Sequence, residues 1–418
     1  MNAVAAPRPW RLLLLAAIAA YATVVIAFPG WLRLLGVNHL GHWFLDAYAI
    51  LASNDALRAG LDPWGTNPLD PLGRPHVYSH WWLQLEAIGL TRAHTVACGV
   101  AVGVLFLAAA LARLRPRSVG EWAWFVAVLC APPVVMGVER ANNDLVIFVL
   151  LAPVVPCLLS QRPGVRWVAV VLVALASGLK FYPAVAALVL LAGADGAELR
   201  RRLVFGGLLL AVVAANVVPD LALIGSRMPR AEGPMTLGAS HLLGAGGLRG
   251  FAAKAAGFAA VAAVAIAFLR PKACAGWTPA PELRGAWWGF VLGAVLLTGC
   301  FFTGTSYGYR WVFAVWLAPL LWELPRDAAA PACMRRLARL TAWLLGFALW
   351  GDGLFSLASA WFAPGAPIAV AEARGDRFFV LSQPLVWALF ACLLVFLAHF
   401  AREAWRTLTG PVPPRSAG

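Results

Sequence analysis

The chain has 418 residues, of which 61% are hydrophobic and 12% charged, and its mean hydropathy is +0.77. A soluble domain could not cover so much apolar material with polar surface, so we predict an all-α polytopic membrane protein and exclude a soluble one. The net charge is +14. No basic cluster belongs to a soluble domain, so this charge predicts contact with anionic membrane lipids and no nucleic-acid partner.

In chain order, the hydrophobic pattern contains 12 apolar segments, several of them shorter than the ~20 residues of a full span. They are Trp10–Phe28, Thr95–Ala112, Trp122–Val138, Leu145–Leu159, Trp167–Leu179, Ala184–Gly193, Leu203–Val218, Phe251–Leu269, Trp287–Phe302, Trp311–Leu324, Leu340–Leu357 and Phe378–Phe400. The first is predicted to be an anchor, because no small-residue cleavage site follows it. We predict one membrane domain over residues 1–418, with about 12 transmembrane segments.

The basic residues predict how these segments are oriented. Of the 33 Lys and Arg, 20 fall in the termini and in alternate connections, on one side of the membrane. The positive-inside rule assigns that side to the cytoplasm, together with both termini and the tail 402–418. The chain is then a multi-pass protein of the cell's inner (plasma) membrane, with its long loop Pro29–Arg92 outside, on the periplasmic face.

This outer loop supplies most of the candidate acids. Residues 43–58 have the pattern of an amphipathic helix, and Asp46 and Asp55, nine residues apart, should lie on its opposite faces. Only one of them can face a cavity in the protein while the other meets water. A tail rich in Pro and Gly follows and should be irregular, with Asp62 in its first turn.

Lys180 is the one charged residue between Trp167 and Gly193. Arginines on either side must share the cytoplasmic face, and residues 167–199 are too few for two full spans. We predict a short helical hairpin broken at Lys180–Pro183, because proline removes an amide donor and disfavours helical geometry in the preceding residue. Lys180 then either points into a cavity or reaches the interface by snorkelling.

Two other polar connections are predicted at the same outer ends, ERANND at 139–144 and TGTSYGYR at 303–310. Each alone favours a hydrogen-bonded turn with a charge pair such as Glu139–Arg140, but three polar clusters on one face favour a shared site. The residues that we expect to bind substrate there are Asp62, His76, His80, Glu139, Asn143, Asp144, Tyr182 and Tyr309.

The absence of several motifs limits which substrates and cofactors can be expected. No two acids are spaced as D-x-D for a metal-bound nucleotide sugar, and there is no G-x-x-x-x-G-K-[ST] loop for ATP. His76 and His80 would form a zinc pair only on a helix, whereas their segment is rich in proline. The seven cysteines are scattered without C-x-x-C and should be small apolar side chains, neither disulfides nor ligands. We therefore expect no metal and no other cofactor.

Five segments, roughly between Leu45 and Leu324, form an ordered set that is more specific than any single motif. They are FLDAYAILASNDALRAGLDPW, NPLDPLGRPHVYSHWW, ERANNDLVIFVLL, SGLKFYPAVAALVLL and SYGYRWVFAVWLAPLL. Together they resemble the bacterial glycosyltransferase family 87 (DUF2029) of the GT-C superfamily.

The resemblance implies a GT-C-type bundle and a mannosyltransferase-like enzyme whose donor is a polyprenyl-phosphate sugar. It also implies that an acid of the first outer loop, here Asp46, is the catalytic base. The hexose would pass with inversion to a lipid-linked or cell-envelope glycan acceptor. A monophosphate leaving group needs cations but no metal, and Lys180, Arg310 and Arg140 are the expected cations.

Two other classes fit the sequence less well. A lipid-linked-sugar flippase or transporter would place polar groups near the midplane, with gates at both faces. A nonenzymatic scaffold that binds a partner through the outer loop would leave Lys180 and Arg310 without a role. The sugar, its linkage, the acceptor and the prenyl length stay open.

Overall fold

The computed structural model describes residues 8–192, 196–225, 227–228, 231–269, 274, 277–362 and 368–409. Most of this described chain is helical, as the composition predicts. The α-helices of the first half are α1 (Arg8–Ala27), α2 (Gly30–Leu34), α3 (Leu45–Arg58), α4 (Thr95–Arg113), α5 (Val119–Leu129), α6 (Pro132–Glu139), α7 (Asn143–Leu151), α8 (Val154–Leu158), α9 (Pro163–Leu179) and α10 (Gly196–Ile224). Those of the second half are α11 (Ser240–Gly244), α12 (Gly247–Leu269), α13 (Arg284–Thr303), α14 (Ala318–Glu323), α15 (Ala332–Phe362) and α16 (Ile368–Thr409). Shorter 3-10 helices lie at His80–Ile88, Arg92–His94, Tyr182–Leu191, Pro281–Leu283, Gly308–Trp316 and Leu324–Arg326.

Seven described helices are long and apolar enough to cross a membrane, namely α1, α4, α10, α12, α13, α15 and α16. The bent pair α5 and α6 makes an eighth if it counts as one span. The all-α polytopic fold is thus confirmed, whereas the predicted count of about 12 spans is not. Prolines explain much of the difference, because Pro132 and Pro133 follow a 53° bend in one predicted segment and Pro153 separates α7 from α8.

Large aromatic and aliphatic side chains fill the space between α13, α16 and the shorter helices. α13 carries buried apolar residues around its whole circumference, as a helix surrounded by protein does. Phe301 of α13 stacks on Phe390 of α16 with ring centroids 3.9 Å apart, and Phe148 of α7 stacks on Trp316 at 4.3 Å. α1, α10 and α12 instead leave most of their apolar side chains outside the protein core, where lipid can cover them.

The long first loop packs against the ends of several helices. Its predicted amphipathic helix is confirmed as α3. Phe44, directly before α3, has a left-handed φ of 60°, a conformation that costs on the order of 1–3 kcal/mol and is concentrated at functional sites. The Phe44 N–H donates to the carbonyl oxygen of Glu139 at 2.8 Å. A Cβ on Gly99 would lie 2.2 Å from the Phe44 ring, so α4 can approach α3 only with glycine there.

The far end of the loop is bound to α9 and α10. The backbone N–H and the Nδ1 atom of His80 both lie 2.9 Å from Asp220 Oδ2, on α10. Trp82 Nε1 donates to the carbonyl oxygen of Leu179, the last residue of α9, at 3.0 Å. The loop is therefore held at both ends by helices that follow it in the chain.

The predicted break in the short hairpin is confirmed. α9 ends at Leu179, and Lys180 is extended with φ −144° and ψ 139°. The chain then continues as the 3-10 helix Tyr182–Leu191, with Pro183 in its first turn, where no amide donor is needed. The helices on both sides of Lys180 are shorter than a full span.

Cys274 and Cys333 are joined by a disulfide, which corrects the prediction that no cysteine is paired. Cys274 follows α12, and Cys333 lies in the first turn of α15. The two residues are 59 positions apart and belong to no short motif, so the sequence gives no signal for the pair.

Candidate functional site

Asp46 lies in the first turn of α3 and is only 6% exposed. Asn142 Nδ2 donates to its Oδ2 atom at 2.6 Å, and Arg74 Nη1 donates to its Oδ1 atom at 3.2 Å. The Asp46 N–H also donates to the carbonyl oxygen of Arg140 at 3.0 Å. One side-chain donor therefore fixes each carboxylate oxygen, and the longer of the two bonds is the one from Arg74.

Arg74 is itself held in place by the loop that carries it. Asp70 Oδ2 accepts from Arg74 Nη2 at 2.9 Å, and the carbonyl oxygen of Leu45 accepts from the same nitrogen at 2.7 Å. Burial alone would lower the pKa of Arg74, but Asp70 and Asp46 outweigh burial and raise it, so the guanidinium stays charged. Sequence reasoning missed Arg74, although its i, i+4 spacing from Asp70 is visible in the sequence.

Lys180 is 8% exposed and is buried by protein. Its Nζ atom forms an ion pair with Asp144 Oδ1, and the Tyr182 hydroxyl donates to that same oxygen at 2.7 Å. The rings of Tyr78 and Tyr309 lie 5.5 and 5.7 Å from the ammonium. Lys180 therefore does not extend to the interface by snorkelling, the alternative that the sequence leaves open.

Arg310 approaches the same carboxylate from the 3-10 helix Gly308–Trp316. Its Nε atom is 3.9 Å from Asp144 Oδ2, and its guanidinium carbon lies 4.6 Å from the centre of the Tyr182 ring. The antiparallel pair β1 (Thr236–Leu237) and β2 (Ser306–Tyr307) fixes the chain just before this helix. Lys180 and Arg310 thus share one anion, Asp144, and these three side chains carry one surplus positive charge.

Asn142 connects the Asp46 half of the site to the Lys180 half. Its Nδ2 atom donates to Asp46, while its Oδ1 atom accepts from the Asp144 N–H at 2.9 Å and caps α7. The preceding residue, Ala141, has a left-handed φ of 45°, a further strained position beside the site. Sequence reasoning missed Asn142, although an asparagine directly before an apolar helical run is a recognisable N-cap.

Several buried polar atoms around this cluster have no hydrogen-bond partner within the described part of the chain. They are Asn143 Nδ2 and Oδ1, Asp144 Oδ2, Arg310 Nε and Glu139 Oε2. Buried polar groups are nearly always hydrogen-bonded, so unpartnered atoms concentrated beside one cluster indicate a place where a polar ligand binds.

The remaining predicted residues lie around this cluster or outside it. Glu139 Oε1 pairs with His39 Nδ1 at 2.6 Å. Arg140 lies 3.8 Å from Glu139 Oε2 and donates to the carbonyl oxygen of Asn38 at 3.4 Å, so the structure does not bring it against Asp144. Asp62 is exposed, and its carboxylate accepts from the Trp64 N–H in a turn.

His76 and His80 support the loop, each with a different set of neighbours. His76 is buried between Trp64 and Tyr78, and its Nε2 atom donates to the carbonyl oxygen of Ser79 at 3.2 Å. Burial lowers the pKa of His76 to about 4, so this imidazole is neutral at physiological pH. His80 binds Asp220. Neither histidine contacts Asp46 or Asp144 through any bond found among the described residues.

Asp55 lies on the opposite face of α3 from Asp46, as the helical spacing predicts. It does not simply meet water, however. Its Oδ2 atom accepts from Arg92 Nε at 2.9 Å, and its Oδ1 atom accepts from Arg58 at 3.3 Å. Asp55 therefore ties α3 to the end of the loop, and the exposed Asp62 is a cleaner control for substitutions at Asp46.

Comparison with known proteins found no matching family model, no matching curated protein and no matching solved structure.

Proposed function

We propose that this protein is an inverting membrane glycosyltransferase of the GT-C type that moves a hexose, with mannose as the first choice, from a polyprenyl-phosphate sugar to a lipid-linked or cell-envelope glycan. One observation carries the proposal: a buried carboxylate, Asp46, is joined through Asn142 to a buried pair of cations that exceed their anion by one charge. A carboxylate and surplus positive charge at neighbouring positions are what transfer from a phosphate leaving group requires.

The reaction assigns a separate role to each half of the site. The acceptor hydroxyl oxygen forms a bond to the anomeric carbon, the bond from that carbon to the phosphate oxygen breaks, and its electron pair leaves with the phosphate. Lys180 and Arg310 stabilise the growing negative charge on the phosphate oxygens. Asp46 takes the proton from the acceptor hydroxyl through the oxygen that Arg74 holds at the longer distance of 3.2 Å.

The surrounding protein contributes binding and orientation. Asn142 holds Asp46 and the first turn of α7 in one geometry, which reduces the motion needed before reaction. The prenyl chain would lie along the short helices on either side of Lys180. In this proposal the site faces the periplasm, and both termini are in the cytoplasm of a cell whose inner membrane holds the protein.

The experiment is a transfer assay with purified protein, polyprenyl-phosphate mannose and membrane glycolipid extract, with and without EDTA. We expect transfer that survives EDTA, because monophosphate donors need no metal and the acid spacing predicts none. Asp46→Asn should reduce the rate about 10²–10⁴-fold, the usual range for loss of a general base. Asp62→Asn keeps the turn to Trp64 and should retain the wild-type rate.

Three results would count against the proposal. Normal transfer by Asp46→Asn would remove the base assignment, and rescue of an EDTA-treated enzyme by Mg²⁺ or Mn²⁺ alone would require a metal. Movement of an intact polyprenyl-phosphate sugar across proteoliposomes, without transfer, would identify a flippase.

In a deletion strain, mass spectrometry of lipid extracts should reveal a glycolipid one sugar short.

A further inference from the structure

A hydrogen-bond donor and an acceptor face each other at the edge of the site without bonding. Arg310 Nε and Asp144 Oδ2 are 3.9 Å apart, too far for a direct hydrogen bond. Both atoms are buried, and neither has a partner among the residues that the structure describes. The other oxygen of Asp144 already accepts from Lys180 and Tyr182. One unused donor and one unused acceptor therefore remain, held by two different elements of the fold.

The chemical group that satisfies both atoms must accept from nitrogen and donate to oxygen. A hydroxyl does both. With usual lengths of about 2.9 Å to nitrogen and about 2.7 Å to oxygen, a hydroxyl oxygen would bridge this gap at an angle of about 90°. A phosphate oxygen has no proton to give Asp144 and would be repelled by it, and an ammonium group cannot accept from Arg310. The pair of atoms therefore fits an O–H group, which a sugar hydroxyl supplies when the donor is bound.

We propose that Asp144 and Arg310 bind the sugar hydroxyl on the carbon next to the one that carries the phosphate. This inference rests on the proposed function, because it takes the phosphate to be held by the surplus positive charge of Lys180 and Arg310. In a sugar 1-phosphate, the hydroxyl on carbon 2 is the one closest to the phosphate. Arg310 is therefore a specificity-determining residue that contacts the phosphate and the adjacent hydroxyl of one donor.

A donor that lacks this hydroxyl would leave a buried charged donor and a buried charged acceptor unpaired. Hydrogen bonds to charged groups are among the stronger ones in proteins, so the loss should weaken binding about 10- to 100-fold. Mannose and glucose differ only at carbon 2, and removing the hydroxyl there gives one common analogue. A single 2-deoxy donor is therefore the correct comparison for both sugars.

The experiment measures binding of short-chain donors to wild-type protein without acceptor. The probes are mannosyl, glucosyl and 2-deoxyglucosyl polyprenyl phosphate, together with bare polyprenyl phosphate. We expect the 2-deoxy donor to bind about 10- to 100-fold more weakly than the better of the two hexosyl donors. Arg310→Lys keeps a cation but removes the Nε–H donor. It should abolish the preference for the 2-hydroxyl, so that both hexosyl donors lose more affinity than bare polyprenyl phosphate does.

Each other outcome overturns a defined part of this inference. If wild-type protein binds the 2-deoxy donor as tightly as both hexosyl donors, the hydroxyl contact does not exist and water serves the two atoms. If Arg310→Lys weakens all probes equally, Arg310 binds only phosphate. If no probe binds wild-type protein at all, the proposed function fails as well. The comparison of ligands uses the unmodified protein, so it stands even if Arg310→Lys folds poorly.

Discussion

The Asn142 side chain makes two hydrogen bonds, to Asp46 and to the Asp144 N–H, and substitutions can remove one of them or both. Serine is a good helix N-cap, so Asn142→Ser keeps an acceptor for the Asp144 N–H but removes the Nδ2 donor that holds Asp46 at 2.6 Å. A hydrogen bond to a buried charged group contributes about 1.5–3 kcal/mol, which corresponds to roughly a 10- to 150-fold effect. If the bond orients Asp46 for proton transfer, the transfer rate should fall by that factor.

Asn142→Ala provides the matched comparison because it removes both bonds. Loss of an N-cap costs about 1 kcal/mol, so this variant should lower the melting temperature further than Asn142→Ser does. The transfer rate and the melting temperature in detergent together distinguish orientation from stability. Asn142→Ser with wild-type turnover would refute the idea that the bridge between Asp46 and Asp144 serves the reaction. Equal loss of activity and of melting temperature in both variants would indicate a purely structural role.

Four further outcomes test other features of the structure. Lys180→Met removes the surplus positive charge of the group formed by Lys180, Arg310 and Asp144, so KM for the donor should rise at least about tenfold. Lys254→Met is the control and should keep the wild-type KM. Thr66→Cys places a thiol of similar size at an exposed loop position, and it should react with an impermeant maleimide in intact cells; labelling only after permeabilisation would invert the proposed topology. The pKa of His76 is about 4 in the folded loop and about 6.5 in the unfolded chain, so the loop should lose stability as the pH falls from 6.5 towards 4. At pH 5, the equilibrium constant for opening of the loop, measured by hydrogen exchange, should be roughly 30-fold higher than at mildly alkaline pH in the wild type. It should not rise in His76→Gln. Cys274 and Cys333 form a disulfide in the structure, beside the arginine-rich connections assigned to the cytoplasm, where disulfides are rare. If that orientation is right, rapid alkylation of cells should find the pair reduced, and the bond should form when the purified protein is oxidised; a disulfide already present in the cell would place that face outside.

The sequence contains enough information for the class of fold and for several local features. Mean hydropathy predicts the helical membrane fold, the 3.6-residue period predicts α3 and the opposite faces of Asp46 and Asp55, and Pro183 marks the break beside Lys180. Each of these follows from residues that are close together in the chain. The count of about 12 spans is not confirmed, because hydropathy alone does not show that several apolar segments form short helices or, as at Pro132 and Pro133, a bent pair.

The pairing of charges depends on tertiary structure and could not be predicted in the same way. Lys180 and Asp144 are 36 residues apart, and Asp46 and Asn142 are 96 apart, so no local pattern links them. The sequence suggested that each polar cluster belongs to one site, but it could not show that Asp144 neutralises one of the two cations. Nor could it show that Arg74 lies on the Asp46 carboxylate.

The attachment of the first loop to later helices has a consequence for how the protein is made. The loop leaves the ribosome early, yet its contacts are with residues synthesised much later: Asn142 is 96 positions after Asp46, and Asp220 is 140 positions after His80. Closing such long separations costs chain entropy, and contacts of this kind form slowly. During synthesis, the carboxylate of Asp46 can pair with Arg74 of its own loop, but it lacks the bond from Asn142 until α7 has been made. The site is complete only after Arg310 has followed.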